Sequence, residues 1–298
     1  MTKKVHLAAS DRIFYVLDYV LLLFCGLIVL FPLLNVIAQS LSSPASVLAG
    51  RVMFWPKGFT LGTYKLILRN PSITTGYLNT LYYAAVGTVV NLFMTVACAY
   101  PLSRGDFMGR NALMFIFAFT MMFGGGMIPT YILIKDLGLL NTRWVMLLPC
   151  AMTVWNMILA RTFFQNSIPK EMYESAELDG ASDIRVLVSI ILPLSTPILA
   201  VLTLFYAVGT HWNSYFDAMM YLRSQNLFNI QLILRNAITN IAALINSNGD
   251  LSQLEQTQAL MEASKYAIIV ISMLPVLIIY PFVQKYFIRG IMIGAIKG

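Results

Sequence analysis

Runs of about twenty apolar residues recur along this chain, and they restrict its fold more than any other feature. Six can be marked: 13–40, 77–101, 111–133, 144–163, 190–222 and 264–288. A helix of about 20 residues spans roughly 30 Å, the thickness of a bilayer's hydrocarbon core. Only 11% of the residues are charged, where a soluble domain carries about a quarter. A globule of 298 residues could not be covered with so few polar side chains. The alternation over about ten residues that marks membrane β-strands is absent. The expected fold class is therefore an all-α polytopic membrane protein with six transmembrane helices. The first apolar run is too long for the hydrophobic region of a signal peptide and reads as a retained helix.

These runs imply one integral membrane domain over residues 1–298, without a soluble domain or linker. Two long segments, about 41–76 and 223–263, and one acidic segment, about 164–193, interrupt the apolar pattern. With the N-terminus inside, eleven of the twenty basic residues fall in inner segments. The bias is cleanest in the short loop "SRGDFMGRN", and short loops weigh most in setting orientation. Both termini are then cytoplasmic. The net charge of +7 follows from this bias, and no basic cluster interleaved with aromatics points to nucleic acid. Outer Arg51, Lys57, Lys65, Arg69, Arg223 and Arg235 raise the expectation of an acidic solute, drawn by charge.

Enzyme chemistry finds no footing. His6 lies in a basic tail and His211 in a span, and neither has a triad or metal partner nearby in sequence. Cys25, Cys98 and Cys150 sit singly in apolar segments, so neither a metal site nor a disulfide framework is indicated. "FGGGMIP" lacks the lysine of a Walker phosphate cradle and reads as a loosened helix end or a close-packing site. No catalytic or metal residue is assigned. Prolines within or beside the spans leave two readings open, a kinked bundle or one that rearranges around a pathway.

Near its end the fifth span gathers Tyr206, His211, Trp212, Asn213, Tyr215 and Asp217. Polar and ionisable side chains at membrane depth are candidates for a solute path, and rings beside amides suit a sugar. The competing reading is an interfacial aromatic belt with helix-to-helix hydrogen bonds.

The acidic segment is the most specific feature. Glu171, Glu174, Glu177, Asp179 and Asp183 place five of the thirteen acids within thirteen residues. Three of them recur every third residue, which brings them together on a helix. Asp179–Gly180 is a turn signal. Ser182 then caps a second helix with Asp183 in its first turn. The result is a helix–turn–helix on the inner membrane face whose acids suit a protein partner.

"ESAELDGASDIRVLVSIILP" resembles the EAA signature of permease subunits of binding-protein-dependent ABC importers. Glu174, Ser175 and Ala176 take the EAA positions, with serine for the first alanine. Gly180 takes the glycine, and Ile190, Leu192 and Pro193 close the pattern. The whole chain is similar to the six-helix, maltose-permease-like carbohydrate branch, through "FWPKGFTLGTYK", "SRGDFMGRN", "KDLGLLNTRW" and "WNSYFDAMMYL". "RGIMIGAIKG" resembles a subgroup associated with complex oligosaccharides from polysaccharides, including uronic-acid polymers. The resemblance implies a type I importer fold in the bacterial cytoplasmic membrane. It implies a coupling helix with Glu174, Ser175, Ala176, Asp179, Gly180, Ala181, Ile190, Leu192 and Pro193 at the ATPase. A second homologous permease subunit, two ATPase subunits, an extracytoplasmic solute-binding protein and membrane lipid are the implied partners. ATP and Mg belong to the ATPase, and no cofactor is expected on this chain. The competing class is an ion-coupled secondary transporter, which needs titrating residues at mid-membrane and often inverted repeats.

Overall fold

The computed structural model describes residues 9–245 and 251–295, and every regular element among them is helical. The order is α1 (Ala9–Ser40), α2 (Pro44–Leu48), α3 (Gly62–Leu68), α4 (Pro71–Ser103), α5 (Arg110–Met122), α6 (Met127–Asp136), a 3-10 turn at Arg143–Met146, α7 (Val154–Ser167), α8 (Lys170–Leu178) and α9 (Asp183–Val186). A π-helical stretch, Leu187–Ile191, leads to α10 (Leu192–Leu194) and α11 (Thr196–Leu204). A second π-helix, Phe205–Trp212, precedes α12 (Tyr215–Tyr221), a 3-10 turn at Gln225–Leu227, α13 (Ile230–Ile245) and α14 (Leu251–Ala295). The chain divides into two compact units, Met1–Arg69 with Ala237–Met273 and Asn70–Asn236 with Leu274–Gly298.

In the first unit, α1 is apolar and solvent-exposed from Ile13 to Leu34. A helix with no polar face is suited to lipid. Only its last turns pack, with Ala38 against Val47, Val52 and Ala263. The Tyr64 hydroxyl donates to Ser40 Oγ at 2.8 Å, tying α3 to the end of α1.

In the second unit α4 is the mast. Asn70 caps it by accepting from the Ser72 amide at 3.0 Å, and Pro71 takes the first helical position, where its missing N–H costs nothing. Its 33 residues rise about 50 Å. One face carries Gly76, Thr80, Tyr83, Gly87, Asn91 and Thr95, all buried and spaced three or four apart. Small and hydroxylic residues in such a stripe let other elements approach closely, as in membrane bundles. Two apolar cores form along the mast. Tyr83 packs with Ile134, Val145, Met146 and Leu147 toward its start. Val96, Ala99 and Tyr100 pack with Met157, Phe164, Ala176, Val186 and Ile191 toward its end.

Among the described residues, three helices are long and apolar enough to cross a bilayer: Ile13–Ser40, Pro71–Ser103 and Glu255–Pro281. They match the first, second and sixth expected spans. Two bent pairs raise the number to five if each is one crossing. The expected third span is broken by 112° between α5 and α6, where Gly126 adopts φ +84°. The expected fifth span turns by 77° at Ser195, between Pro193 and Pro197. Proline removes a backbone donor and clashes with the preceding turn, so a bend follows. The region expected as a fourth span holds α7, whose 14 residues rise only about 21 Å.

Candidate functional site

The helix–turn–helix expected at the acidic segment is present. Its turn is a Schellman cap: the Ala181 amide donates to Ala176 O at 3.0 Å and the Gly180 amide to Glu177 O at 3.0 Å. This cap needs a left-handed residue, and Gly180 has φ +71°. Ser182 caps α9 by accepting from the Arg185 amide at 3.4 Å. Ala176, Val186 and Ile191 are buried in the core at the end of α4. Glu174, Ser175, Glu177, Asp179 and Gly180 are exposed. Ile190 and Leu192 pack against the core as partly buried residues, and Pro193 is exposed at the bend. The segment is therefore fixed on one side by small and branched apolar residues and presents its acids on the other. Leu178 is 89% and Ile184 75% exposed, so the outward face also carries two large apolar side chains flanking the turn.

The short basic loop is knitted to this segment. Arg161 Nε donates to Leu102 O at 2.9 Å and Gln165 Nε2 to Ser103 O at 3.3 Å. The Tyr100 hydroxyl donates to Asp183 O at 3.4 Å. Arg104 forms an ion pair with Asp106 at 3.2 Å, and its guanidinium lies over the Tyr173 ring, 4.9 Å from the centroid. The Arg104 hydrogen bond holds the Asp106 carboxyl below its ordinary range, so the pair is ionised at neutral pH. A cavity of about 560 Å³ between loop and α8 is lined by Arg104, Asp106, Arg110, Tyr173, Glu174 and Glu177, among others.

A second polar cluster stands near the other end of α4. Asn79 Nδ2 donates to the carbonyls of Asn226 and Phe228 at 2.7 and 3.0 Å, and the Tyr83 hydroxyl donates to Leu227 O at 2.8 Å. Asn141, at φ +58°, accepts from the Arg223 and Ser224 amides at 2.9 and 2.8 Å. Asn79 and Leu102 stand about 35 Å apart along the helix at 1.5 Å per residue. The loop 102–110 and the acidic segment thus lie toward the end of α4, and residues 222–229 toward its start.

The six path candidates divide. Tyr206 and His211 are buried and face α4: the Tyr206 hydroxyl meets Thr95 Oγ1 at 2.7 Å, and His211 Nε2 meets Asn91 Oδ1 at 2.6 Å. Asn91 in turn donates to Cys150 O, and the Thr153 amide donates to Tyr206 at 3.4 Å. These form two polar rungs joining α4, the chain before α7 and the π-helix. Five residues separate Tyr206 from His211, which on an α-helix turns them about 140° apart. The i to i+5 pattern of the π-helix brings them onto one face. Trp212 is buried, with its ring 6.5 Å from that of Tyr77. Asn213 is exposed and Tyr215 and Asp217 are partly exposed. Tyr215 lies under the Arg235 guanidinium, 4.9 Å from its centroid. Arg143 stacks likewise over Tyr82 at 4.8 Å.

The α4 residues that hold these rungs escaped the sequence reading. Their signal was the three-to-four spacing of Gly76, Thr80, Tyr83, Gly87, Asn91 and Thr95 inside an apolar run.

The family described as "Binding-protein-dependent transport system inner membrane component" matches residues 71–293. The polygalacturonan/rhamnogalacturonan transport system permease protein YtcP of Bacillus subtilis (strain 168) is 39% identical over 290 residues, covering 97% of this chain and 100% of that protein. Protein LplC of the same strain is 40% identical over 293 residues, 98% of each chain. A chain from the crystal structure of a bacterial ABC transporter involved in the import of the acidic polysaccharide alginate superposes with a TM-score of 0.83 at 38% identity. The match covers 95% of this chain and 100% of that one.

Proposed function

The chain belongs to the family of binding-protein-dependent transport system inner membrane components, and from that premise we propose how it works. It is the permease subunit of an ATP-driven importer that moves oligosaccharides across the cytoplasmic membrane. The entire chain acts as one non-catalytic integral domain. It crosses the bilayer six times with both termini cytoplasmic, the α7 region completing the count. It pairs with a second homologous permease. Two ATPase subunits, which bind ATP and Mg, dock beneath, and an extracytoplasmic protein delivers the solute.

One observation carries the reading: residues 170–193 are held to the core by Ala176, Val186 and Ile191 while Glu174, Glu177 and Asp179 face outward. A segment built this way transmits a push from a docked partner into α4 and the bent helix that follows. Glu174, Ser175, Ala176, Asp179, Gly180 and Ala181 meet the ATPase. Ile190, Leu192 and Pro193 pass the motion to the bend at Ser195. Asn213, Tyr215 and Asp217 face the solute, positioned by the rungs at Tyr206 and His211 and by Trp212.

The solute is an acidic oligosaccharide. Two relatives support this, one named for polygalacturonan and rhamnogalacturonan and one for alginate. Arg143 and Arg235 fit it as well, because a guanidinium held over a tyrosine ring pairs readily with a carboxylate. The test is ATP hydrolysis by the reconstituted complex with its binding protein, measured across a panel of oligosaccharides. Uronic oligomers should stimulate more than neutral ones of equal length at low salt. Equal stimulation would remove the acidic assignment, and no stimulation by any oligosaccharide would remove the sugar.

A further inference from the structure

We propose that Arg104 is a positioning residue for α8, bracing the ATPase-facing helix against the loop 102–110 through its stack on Tyr173. This inference rests on the reading of residues 170–193 as the coupling segment. A helix of nine residues with one buried member, Ala176, has little of its own to resist a sideways push. Its fixed points are Ala176 and the partly buried Tyr173, with Ala181 holding the turn that follows. Without a lateral support, force applied at Glu174 or Leu178 would tilt α8 instead of moving the core.

Arg104 has the geometry of that support. Its guanidinium sits 4.9 Å from the Tyr173 centroid, inside the range of about 6 Å where a cation is drawn to a ring face. Asp106 takes two bonds from it, Nε at 3.2 Å and Nη2 at 3.3 Å, and this fork fixes the plane of the cation. The Arg104 side chain is only 18% exposed, and such attraction strengthens as water is removed. The backbone beneath is pinned three times: by Arg110 Nη1 on Arg104 O at 3.1 Å, Arg161 on Leu102 O and Gln165 on Ser103 O. Arg161 and Gln165 belong to α7, so the brace runs from α7 through the loop to α8. A lysine at 104 would keep charge but lose the fork that sets the cation's plane.

The experiment measures sugar uptake per ATP hydrolysed in proteoliposomes holding the full complex and its binding protein. Arg104→Ala and Tyr173→Leu should each lower that ratio about fivefold, the scale of one cation–π contact in a partly buried setting. Tyr173→Phe keeps the ring and should behave as wild type. The double variant should be no worse than either single one, because both remove the same contact. Additive losses, or a Tyr173→Phe as damaged as Tyr173→Leu, would overturn the proposal. If Arg104→Ala fails to assemble, the Tyr173 pair alone decides. Gly180→Val runs in parallel. Should it collapse the ratio while the Arg104 and Tyr173 variants keep it, the brace is wrong and the coupling reading stands. Should all of them keep it, the coupling reading fails too.

Discussion

Gly180 shows how a single residue fixes the shape of the outward face. Its φ of +71° closes the Schellman cap, and no atom beyond its two chain neighbours lies within 4 Å of where a Cβ would be. The demand is therefore conformational and not steric. Asparagine, which tolerates the left-handed region, should leave uptake near wild type at position 180. Valine should be strained by about 1–3 kcal/mol, and relaxing that strain would swing Asp179 and Ala181 out of place. Uptake in proteoliposomes across Gly180→Asn, Gly180→Ala and Gly180→Val should fall in that order, and a flat series would contradict the cap. Gly87 makes the opposite demand. A Cβ there would enter the His211 imidazole, so Gly87→Val must displace the ring and break its bond to Asn91. Leaving such a buried group unpaired costs about 1–3 kcal/mol. The melting temperature of the detergent-purified complex should drop clearly for Gly87→Val, and an unchanged value would show that the ring has room to move.

At the scale of elements, the rungs between α4 and the π-helix make a graded prediction. Tyr206→Phe keeps the ring and removes the hydroxyl's bonds to Thr95 and Thr153, and an interhelical hydrogen bond in a membrane protein is worth about 0.6 kcal/mol. Its thermal shift should be small beside that of Gly87→Val. The reverse order would mean that packing contributes less here than polar pairing. Not every element is equally legible in the sequence. Apolar runs located α1, α4 and α14, because a long stretch without charge has few other folds open to it. The acidic segment was legible because its acids, its Asp179–Gly180 turn and its Ser182 cap each carry a local physical signal. The breaks were legible only as one reading of two: "FGGGMIP" reads as a loosened helix end or a close-packing site, and the prolines as kinks or as parts of a moving pathway. Hydropathy continues across Gly126 and Ser195, so the bends of 112° and 77° appear only in the backbone geometry. Tyr206 and His211 lay among the candidate path residues, yet their five-residue spacing gives no common face unless the helix is π. Arg104 was visible as a charge setting orientation, while its stack on Tyr173 depends on tertiary contact that spacing does not encode.

For the whole molecule, the proposed crossing puts the two polar clusters, about 35 Å apart along α4, on opposite sides of the membrane. In a variant lacking Cys25, Cys98 and Cys150, a cysteine at position 106 should react with an impermeant reagent only from the cytoplasmic side. One at position 223 should react only from outside. Labelling of both from one side would contradict the proposed crossing. In the proposed mechanism, import is driven by ATP through residues 170–193. Its most direct test is uptake of uronic oligosaccharide by proteoliposomes holding the complete complex and its binding protein. ATP sealed inside with Mg should drive accumulation that persists when an uncoupler removes every ion gradient and stops when ATP is left out. Uptake that follows an imposed proton or sodium gradient without ATP would instead identify an ion-coupled transporter and contradict the account.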